Sequence, residues 1–138
     1  MRLRHMVLLS MLLNGAAHAQ VRHLAADPGK AIWPGIVVQE GPSGGRLSIA
    51  RFTVAPGRSD PPSHMRHAEE WFLIESGHGT VWLDGQASSV GPGDVVRVAA
   101  PVVRRIAAAP DGAMVFEAIT NPAFSLDDYV PDGQTPRD

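Results

Sequence analysis

The sequence contains no cysteine among its 138 residues, and lysine occurs only once, as Lys30. The absence of cysteine excludes disulfide bonds and thiolate metal sites, so the fold depends on the burial of apolar side chains. Twelve basic residues face fourteen acidic ones, which gives a formal net charge of −2. A mildly acidic chain is a poor binder of nucleic acid on electrostatic grounds. There is also no basic amphipathic stretch of the kind that binds membrane surfaces.

Residues 1–19 have the three-part pattern of a secretory signal peptide. Two arginines near the start precede an apolar run over residues 6–13, and an Ala-His-Ala sequence ends at Ala19. The apolar run is shorter than the roughly 20 residues needed to cross a bilayer, although an uncleaved anchor stays an alternative. We therefore expect cleavage between Ala19 and Gln20, a more acidic mature chain, and a periplasmic or secreted location.

Beyond the signal peptide, short apolar segments alternate with turns rich in glycine and proline. No window has the 3.6-residue period of an amphipathic helix, and an irregular alternation near Arg51 suggests a β-bulge. The pattern is typical of an all-β barrel or sandwich. We expect residues 20–45 to form an arm with the first strands, 46–120 the barrel, and 121–138 a tail. The expected strands are 46–55, 70–75, 80–83, 86–90, 95–99, 102–107 and 113–120.

Two blocks within residues 56–107 carry a resemblance to a known family. In the first block a Pro-Gly pair precedes His64, and Glu70 is followed by six residues and a glycine. The second block opens at Gly85 and passes through a Gly-Pro-Gly-Asp turn. This spacing resembles the cupin superfamily, in its small single-domain form. The resemblance implies an all-β cupin-type double-stranded β-helix, or jelly-roll barrel, and a possible homodimer.

The resemblance also implies four metal-ligand positions, of which only two carry suitable side chains, His64 and Glu70. The other two fall on Arg66 and Arg104, and arginine has no lone pair to give to a metal. His64 and Arg66 are two residues apart, so on a strand they would share a face, with Arg104 in the same pocket. Two arginines there would suit a carboxylate or phosphate. Alternatively, they neutralise Glu69 and Glu70 and need no ligand.

A metal site remains open if His67 replaces the missing histidine. His64, His67 and Glu70 would then supply three N/O ligands, which suit zinc, iron or manganese. Three residues separate the two histidines, so an extended strand would point them to opposite faces. Only a bend after Pro61-Pro62 would bring them together.

These residues lead to two functional hypotheses. The first is a binding module in which Arg66 and Arg104 hold a small polar or anionic molecule in the barrel pocket, without the full usual metal site. The second is a cupin-type enzyme, an isomerase, lyase or dioxygenase acting on a small carbohydrate or acid. In that enzyme His64 would act as a general base and Glu70 would orient it, with or without a divalent metal. A scaffold or partner-binding domain is a third possibility, because cupins host many functions.

Overall fold

The computed structural model describes residues 19–42 and 44–133, so the expected signal peptide lies, except for its last residue, outside the described residues. The described part forms strands and one short 3-10 turn, Leu24–Ala26. It contains no helix with the length and apolar character needed to cross a membrane. The strands are β1 Lys30–Trp33, β2 Ile36–Glu40, β3 Ser48–Val54, β4 Ser63–Met65, β5 Glu69–Ser76, β6 Gly79–Leu83, β7 Gln86–Val90, β8 Val95–Val98, β9 Arg104–Ala108, β10 Met114–Asn121 and β11 Tyr129–Pro131.

The strands form two antiparallel sheets, in which strands from distant parts of the sequence are neighbours. The six-stranded sheet has the order β1-β2-β3-β10-β5-β8, and the five-stranded sheet has the order β11-β4-β9-β6-β7. Strand β10 therefore lies between β3 and β5, which precede it by many residues. The two-sheet architecture confirms the all-β, jelly-roll prediction.

The buried core lies between the sheets and follows the two-residue period of a strand. On β10 the buried residues are Met114, Phe116, Ala118 and Thr120, while the residues between them are partly exposed. Removing such apolar side chains from water is the main driving force for folding. The buried core is completed by residues of both sheets: Ile36, Val54, Phe72, Ile74, Val81, Val90, Val96, Val98, Ile106 and Ala108.

The bulge expected near Arg51 is absent. Strand β3 pairs in unbroken register with both β2 and β10. Ile49 is 40% exposed, whereas Val54, at the end of the same strand, is fully buried. The irregular apolar pattern of this segment therefore reflects an exposed isoleucine and not an inserted residue.

The tail contributes a strand that the sequence pattern did not indicate. Strand β11 pairs with β4, so that Tyr129 lies opposite Met65 and Val130 lies opposite His64. At the other end, β1 and β2 extend the six-stranded sheet beyond β3. The segment around His64 consequently lies next to the tail.

Candidate functional site

The interior of the barrel contains a cavity of about 480 Å³. Ligand pockets typically range from about 300 to 1,000 Å³, so there is room for a small molecule. The walls are mainly apolar and include Phe52, Phe72 and Phe116. The rings of Phe52 and Phe116 stack with centroids 5.0 Å apart, and Phe72 is tilted against Phe116 at 5.2 Å. A ligand would meet a mainly apolar wall that contains this cluster of phenylalanine rings.

Several polar side chains interrupt this apolar lining, and four of them form what we call the polar cluster: Asp60, Glu70, Arg104 and Thr120. Glu70 and Thr120 are Cα partners on the adjacent strands β5 and β10. Both are inward positions of their strands, and each residue is 3% exposed. Arg104 is the first residue of β9, in the opposite sheet. The polar cluster thus joins the two sheets across the cavity.

A buried ion pair between Arg104 and Glu70 is the centre of the polar cluster. Nε of Arg104 donates to Oε1 of Glu70 at 2.7 Å, and Nη2 donates to Oε2 at 3.3 Å. Nη1 donates to the hydroxyl of Ser63. Burial alone would lower the pKa of Arg104, but the combined interactions with Glu70, Asp60 and Tyr129, those with Glu70 being the largest of them, hold the pKa above its usual value. The two-point contact fixes the guanidinium plane and keeps both charges paired in a buried site.

Asp60 is held in place by the main chain of β9. The amide of Ile106 donates to Oδ1 of Asp60 at 2.7 Å, and the amide of Asp60 donates to the carbonyl of Ile106. Burial raises the pKa of Asp60 to about 6 from its ordinary value of 3.8, although the Ile106 hydrogen bond and the charges of Arg104 and Arg105 oppose this. The carboxyl group is therefore titratable close to neutral pH.

The sequence-based expectation for Arg66 differs from the structure. Strand β4 ends at Met65, and its buried residues are Ser63 and Met65, so His64 faces the other way. Arg66 follows the strand and is exposed, outside the lining of the cavity. The sequence predicts that His64 and Arg66 face inward, whereas in the structure Ser63 and Met65 do. A shift of one residue along a strand exchanges its two faces. Arg104 therefore enters the cavity without Arg66.

The two histidines proposed as metal ligands are also directed away from Glu70. Nδ1 of His64 lies 2.6 Å from the carboxylate of Asp132, and Nδ1 of His67 lies 2.7 Å from that of Asp128. The His67 side chain is 81% exposed. Within residues 19–42 and 44–133, no group of three or more His, Cys, Asp or Glu side chains is arranged to hold a metal ion.

The residues at the expected metal-ligand positions therefore do not fit a metal. The position expected to hold a histidine on β9 carries Arg104, which has no lone pair to donate. Glu70 is already engaged by that arginine.

The tail forms part of the cavity wall. Phe124, Leu126 and Tyr129 line the cavity, and the guanidinium of Arg104 lies 5.8 Å from the centre of the Tyr129 ring. Asp128 anchors this segment by accepting a hydrogen bond from the amide of Ala68 at 2.9 Å. That bond, followed by contacts with His67, holds the pKa of Asp128 below its usual value. The histidine–aspartate pairs thus fasten the tail onto β4.

Asp60 and Tyr129 are cavity residues that the motif spacing did not reveal. The available signals were weak: Asp60 is a carboxylate fixed before Pro61-Pro62, and Tyr129 is the only tyrosine of the chain. Asp60 is placed by its hydrogen bonds to Ile106 of β9, and Tyr129 is placed by the pairing of β11 with β4.

Comparison with known proteins agrees with this fold. The family model described as a cupin domain matches residues 50–120, a range that contains the whole polar cluster. The chain belongs to the cupin family. No curated protein matches the sequence of this cupin significantly.

Solved structures share the fold of this cupin at low sequence identity. KdgF from Halomonas sp. aligns with a TM-score of 0.72 at 15% identity, over 79% of this chain and 97% of KdgF. Pac13, described as a nucleoside dehydratase, aligns with a TM-score of 0.71 at 16% identity, over 86% of this chain and 100% of its own. Pac13 from Streptomyces has also been solved with uridine. The cupin domain of Cnp3 from Schizosaccharomyces pombe aligns with a TM-score of 0.66 at 12% identity, covering 74% of this chain and 73% of Cnp3. At these identities the likeness shows the fold alone.

Proposed function

We propose that this cupin binds a small, mainly apolar molecule in the barrel cavity, and that the polar cluster holds a neutral hydrogen-bonding group of that molecule. The observation that carries the proposal is the combination of a 480 Å³ cavity with aromatic walls and one buried ion pair. Pockets of this kind use apolar contacts for affinity and a few placed polar groups for orientation.

Arg104 retains hydrogen bonds that it can offer to a ligand. A guanidinium has five N–H donors, and three are directed at Glu70 and Ser63. Two N–H groups are therefore left on a side chain that lines the cavity. A carbonyl or hydroxyl oxygen of the ligand would accept from them.

The balance of charge in the polar cluster argues against an anionic ligand. The positive charge of Arg104 is matched by Glu70 at 2.7 Å. Asp60 adds a negative charge at pH values above about 6. With Arg66 at the surface, the cavity carries no excess positive charge. We therefore favour a neutral ligand over the carboxylate or phosphate that two arginines would have suited.

The proposal is tested by titrating the protein with N-phenyl-1-naphthylamine, a neutral aromatic molecule that fluoresces when it leaves water. We expect saturable binding to the wild type and at least a tenfold weaker binding to Ala118→Phe. Ala118 is 5% exposed and lines the cavity, so a phenyl group there would occupy the ligand volume.

The matched control is Ile119→Phe, at the next position of β10, which is directed away from the cavity. It should bind the probe as the wild type does. Equal binding by the wild type and Ala118→Phe, or no saturable binding to the wild type, would contradict the proposal.

We also propose that this cupin is exported. The support is the basic and apolar character of residues 1–19, with the small residues that precede Gln20. The test is the intact mass of the protein from the periplasmic fraction or the medium. A mature chain that begins at Gln20 is expected, and a full-length chain confined to the cytoplasm would contradict export.

A further inference from the structure

Asp60 is placed to exchange a proton with a molecule in the cavity. Its side chain lines the cavity, and Oδ1 is fixed by the amide of Ile106 at 2.7 Å. Among the described residues, no side chain donates a hydrogen bond to Asp60, and the barrel leaves no buried side-chain oxygen without a partner. The second oxygen, Oδ2, therefore has no side-chain partner among the described residues and keeps some exposed surface, on a residue that lines the cavity. Arg104 lies in the same polar cluster with two N–H groups left.

We propose that Asp60 is a catalytic acid–base residue, and that this cupin moves a proton between two carbons of an apolar carbonyl compound held by Arg104. This inference rests on the proposed function, because it uses the same cavity and the same ligand class. It differs from the sequence-based enzyme hypothesis, in which His64 was the base.

The reaction is balanced within one molecule. The Asp60 carboxylate takes a proton from the carbon next to the carbonyl group, and the electron pair of that C–H bond moves towards the carbonyl oxygen. The resulting enolate oxygen accepts hydrogen bonds from Arg104, which is fixed and needs little reorganisation as charge develops. In a substrate with a double bond between its β and γ carbons, protonated Asp60 then returns the proton to the γ carbon. The carbon–carbon double bond moves to the α,β position, and the carbonyl group re-forms as the electron pair leaves the enolate oxygen. No oxidant, reductant or second substrate is needed.

The surroundings of Asp60 suit this role. The charges that act on it are those of Arg104 and Arg105 on β9. Glu70 on β5 and Tyr129 on β11 line the same cavity, and Glu70 is already paired with Arg104. Burial gives Asp60 a pKa of about 6, so at neutral pH it is mainly ionised and also a stronger base than an exposed aspartate.

The test uses 5-nitrobenzisoxazole, a planar apolar molecule that reports a base in an apolar site. The base removes the proton on carbon, the N–O bond breaks with its electrons on oxygen, and a coloured 2-cyano-4-nitrophenolate forms. We expect Asp60→Asn to lower kcat/KM by about a hundredfold or more, the range of general-base catalysis. N-phenyl-1-naphthylamine should still bind, because asparagine keeps an oxygen for the Ile106 amide.

The control is Asp111→Asn, which makes the same change in an exposed turn and should leave kcat/KM unchanged. The wild-type rate should rise with pH and level off above about 6. This profile tests the proposal even if the Asp60 variant does not fold. The single lysine, Lys30, limits the background from amines.

The outcomes separate this inference from the proposed function. If the wild type binds N-phenyl-1-naphthylamine but Asp60→Asn reacts as fast as the wild type, Asp60 is not the base and only the binding function stands. A wild-type rate independent of pH between 4 and 8 would overturn the inference in the same way. If the wild type does not bind the neutral probe, the proposed function itself fails.

Discussion

Two glutamates of strand β5, Glu70 and Glu75, pair with arginines in opposite environments. Glu70 faces the cavity and meets Arg104, with side chains 4% and 9% exposed. Glu75 meets Arg51 at 2.6 Å at the barrel surface, with side chains 43% and 28% exposed. The same two functional groups thus form a buried ion pair inside the barrel and a solvent-exposed ion pair outside it.

The exposed ion pair of Arg51 and Glu75 differs from the buried pair in its ratio of positive to negative charges. Arg51 also reaches Glu117 at 3.4 Å, so one arginine serves two carboxylates. Burial and the neighbouring Glu75 raise the pKa of Glu117, while hydrogen bonds from Glu117 and Arg51 lower the pKa of Glu75. Water can replace these contacts at little loss, because surface ion pairs are screened and solvated. The degree of burial, more than the presence of an arginine, therefore decides how much each ion pair contributes to stability.

Removing the buried arginine should have the largest effect on stability. Arg104→Ala leaves Glu70 as an unpaired buried charge, so we expect a loss of about 3–5 kcal/mol in the free energy of unfolding. Urea denaturation measures this loss. The double variant Arg104→Met/Glu70→Leu, which removes both charges, should recover most of it. A loss below about 1 kcal/mol in Arg104→Ala would place the inner pair in the same class as a surface pair.

A second prediction concerns the sign of the pH dependence inside the cavity. The pKa of Asp60 is raised from 3.8 to about 6 on folding, so its contribution to stability is largest below pH 3.8 and is lost as the pH rises through 6. The loss amounts to about 3 kcal/mol for a shift of this size. Asp60→Asn should therefore gain stability relative to the wild type between pH 4 and pH 8. Denaturation curves of both proteins at the two pH values test it, and parallel pH profiles would contradict a buried ionisable Asp60.

Removing the arginine of the surface pair should change the free energy of unfolding much less. Arg51→Ala should lower the free energy of unfolding by less than about 1 kcal/mol, and by less again at high salt. The comparison with Arg104→Ala under the same conditions is the measurement. Similar losses for the two variants would mean that burial is not the decisive difference.

The smallest effect is expected for Arg66, the arginine that the sequence placed beside Arg104. Because Arg66 is exposed and does not line the cavity, Arg66→Ala should bind N-phenyl-1-naphthylamine with unchanged affinity. Arg104→Met/Glu70→Leu, which alters the cavity lining, should change that affinity. A tenfold loss of binding in Arg66→Ala would restore the two-arginine pocket.

The fold could be predicted because its signals are local. The Asp84-Gly85 pair indicated a hairpin, and both residues have the positive φ angles, 49° and 79°, that such a turn requires. Glycine and proline spacing located most of the strand ends. These features depend on the conformation of a few adjacent residues, which sequence reports directly.

The site could be predicted only in part. It depends on which face of its strand each residue occupies, and on the pairing of segments that are far apart in the sequence. Arg104 and Glu70 lie on longer strands, where alternation over several residues indicates the inward face. Strand β4 has three residues, so nothing in the sequence shows whether Ser63 or His64 faces the cavity. Asp60 and Tyr129 enter the cavity through the pairing of separate segments, which no local pattern encodes.

The central claim is that ligands bind at the polar cluster within the barrel and not at the histidine-bearing surface beside β4. Adding N-phenyl-1-naphthylamine to ¹⁵N-labelled protein and following the amide resonances by NMR tests it most directly. The account predicts that the largest shifts fall on Ile106, Ala118 and Thr120, whose side chains line the cavity. Shifts confined to His64, Arg66 and His67 would contradict it.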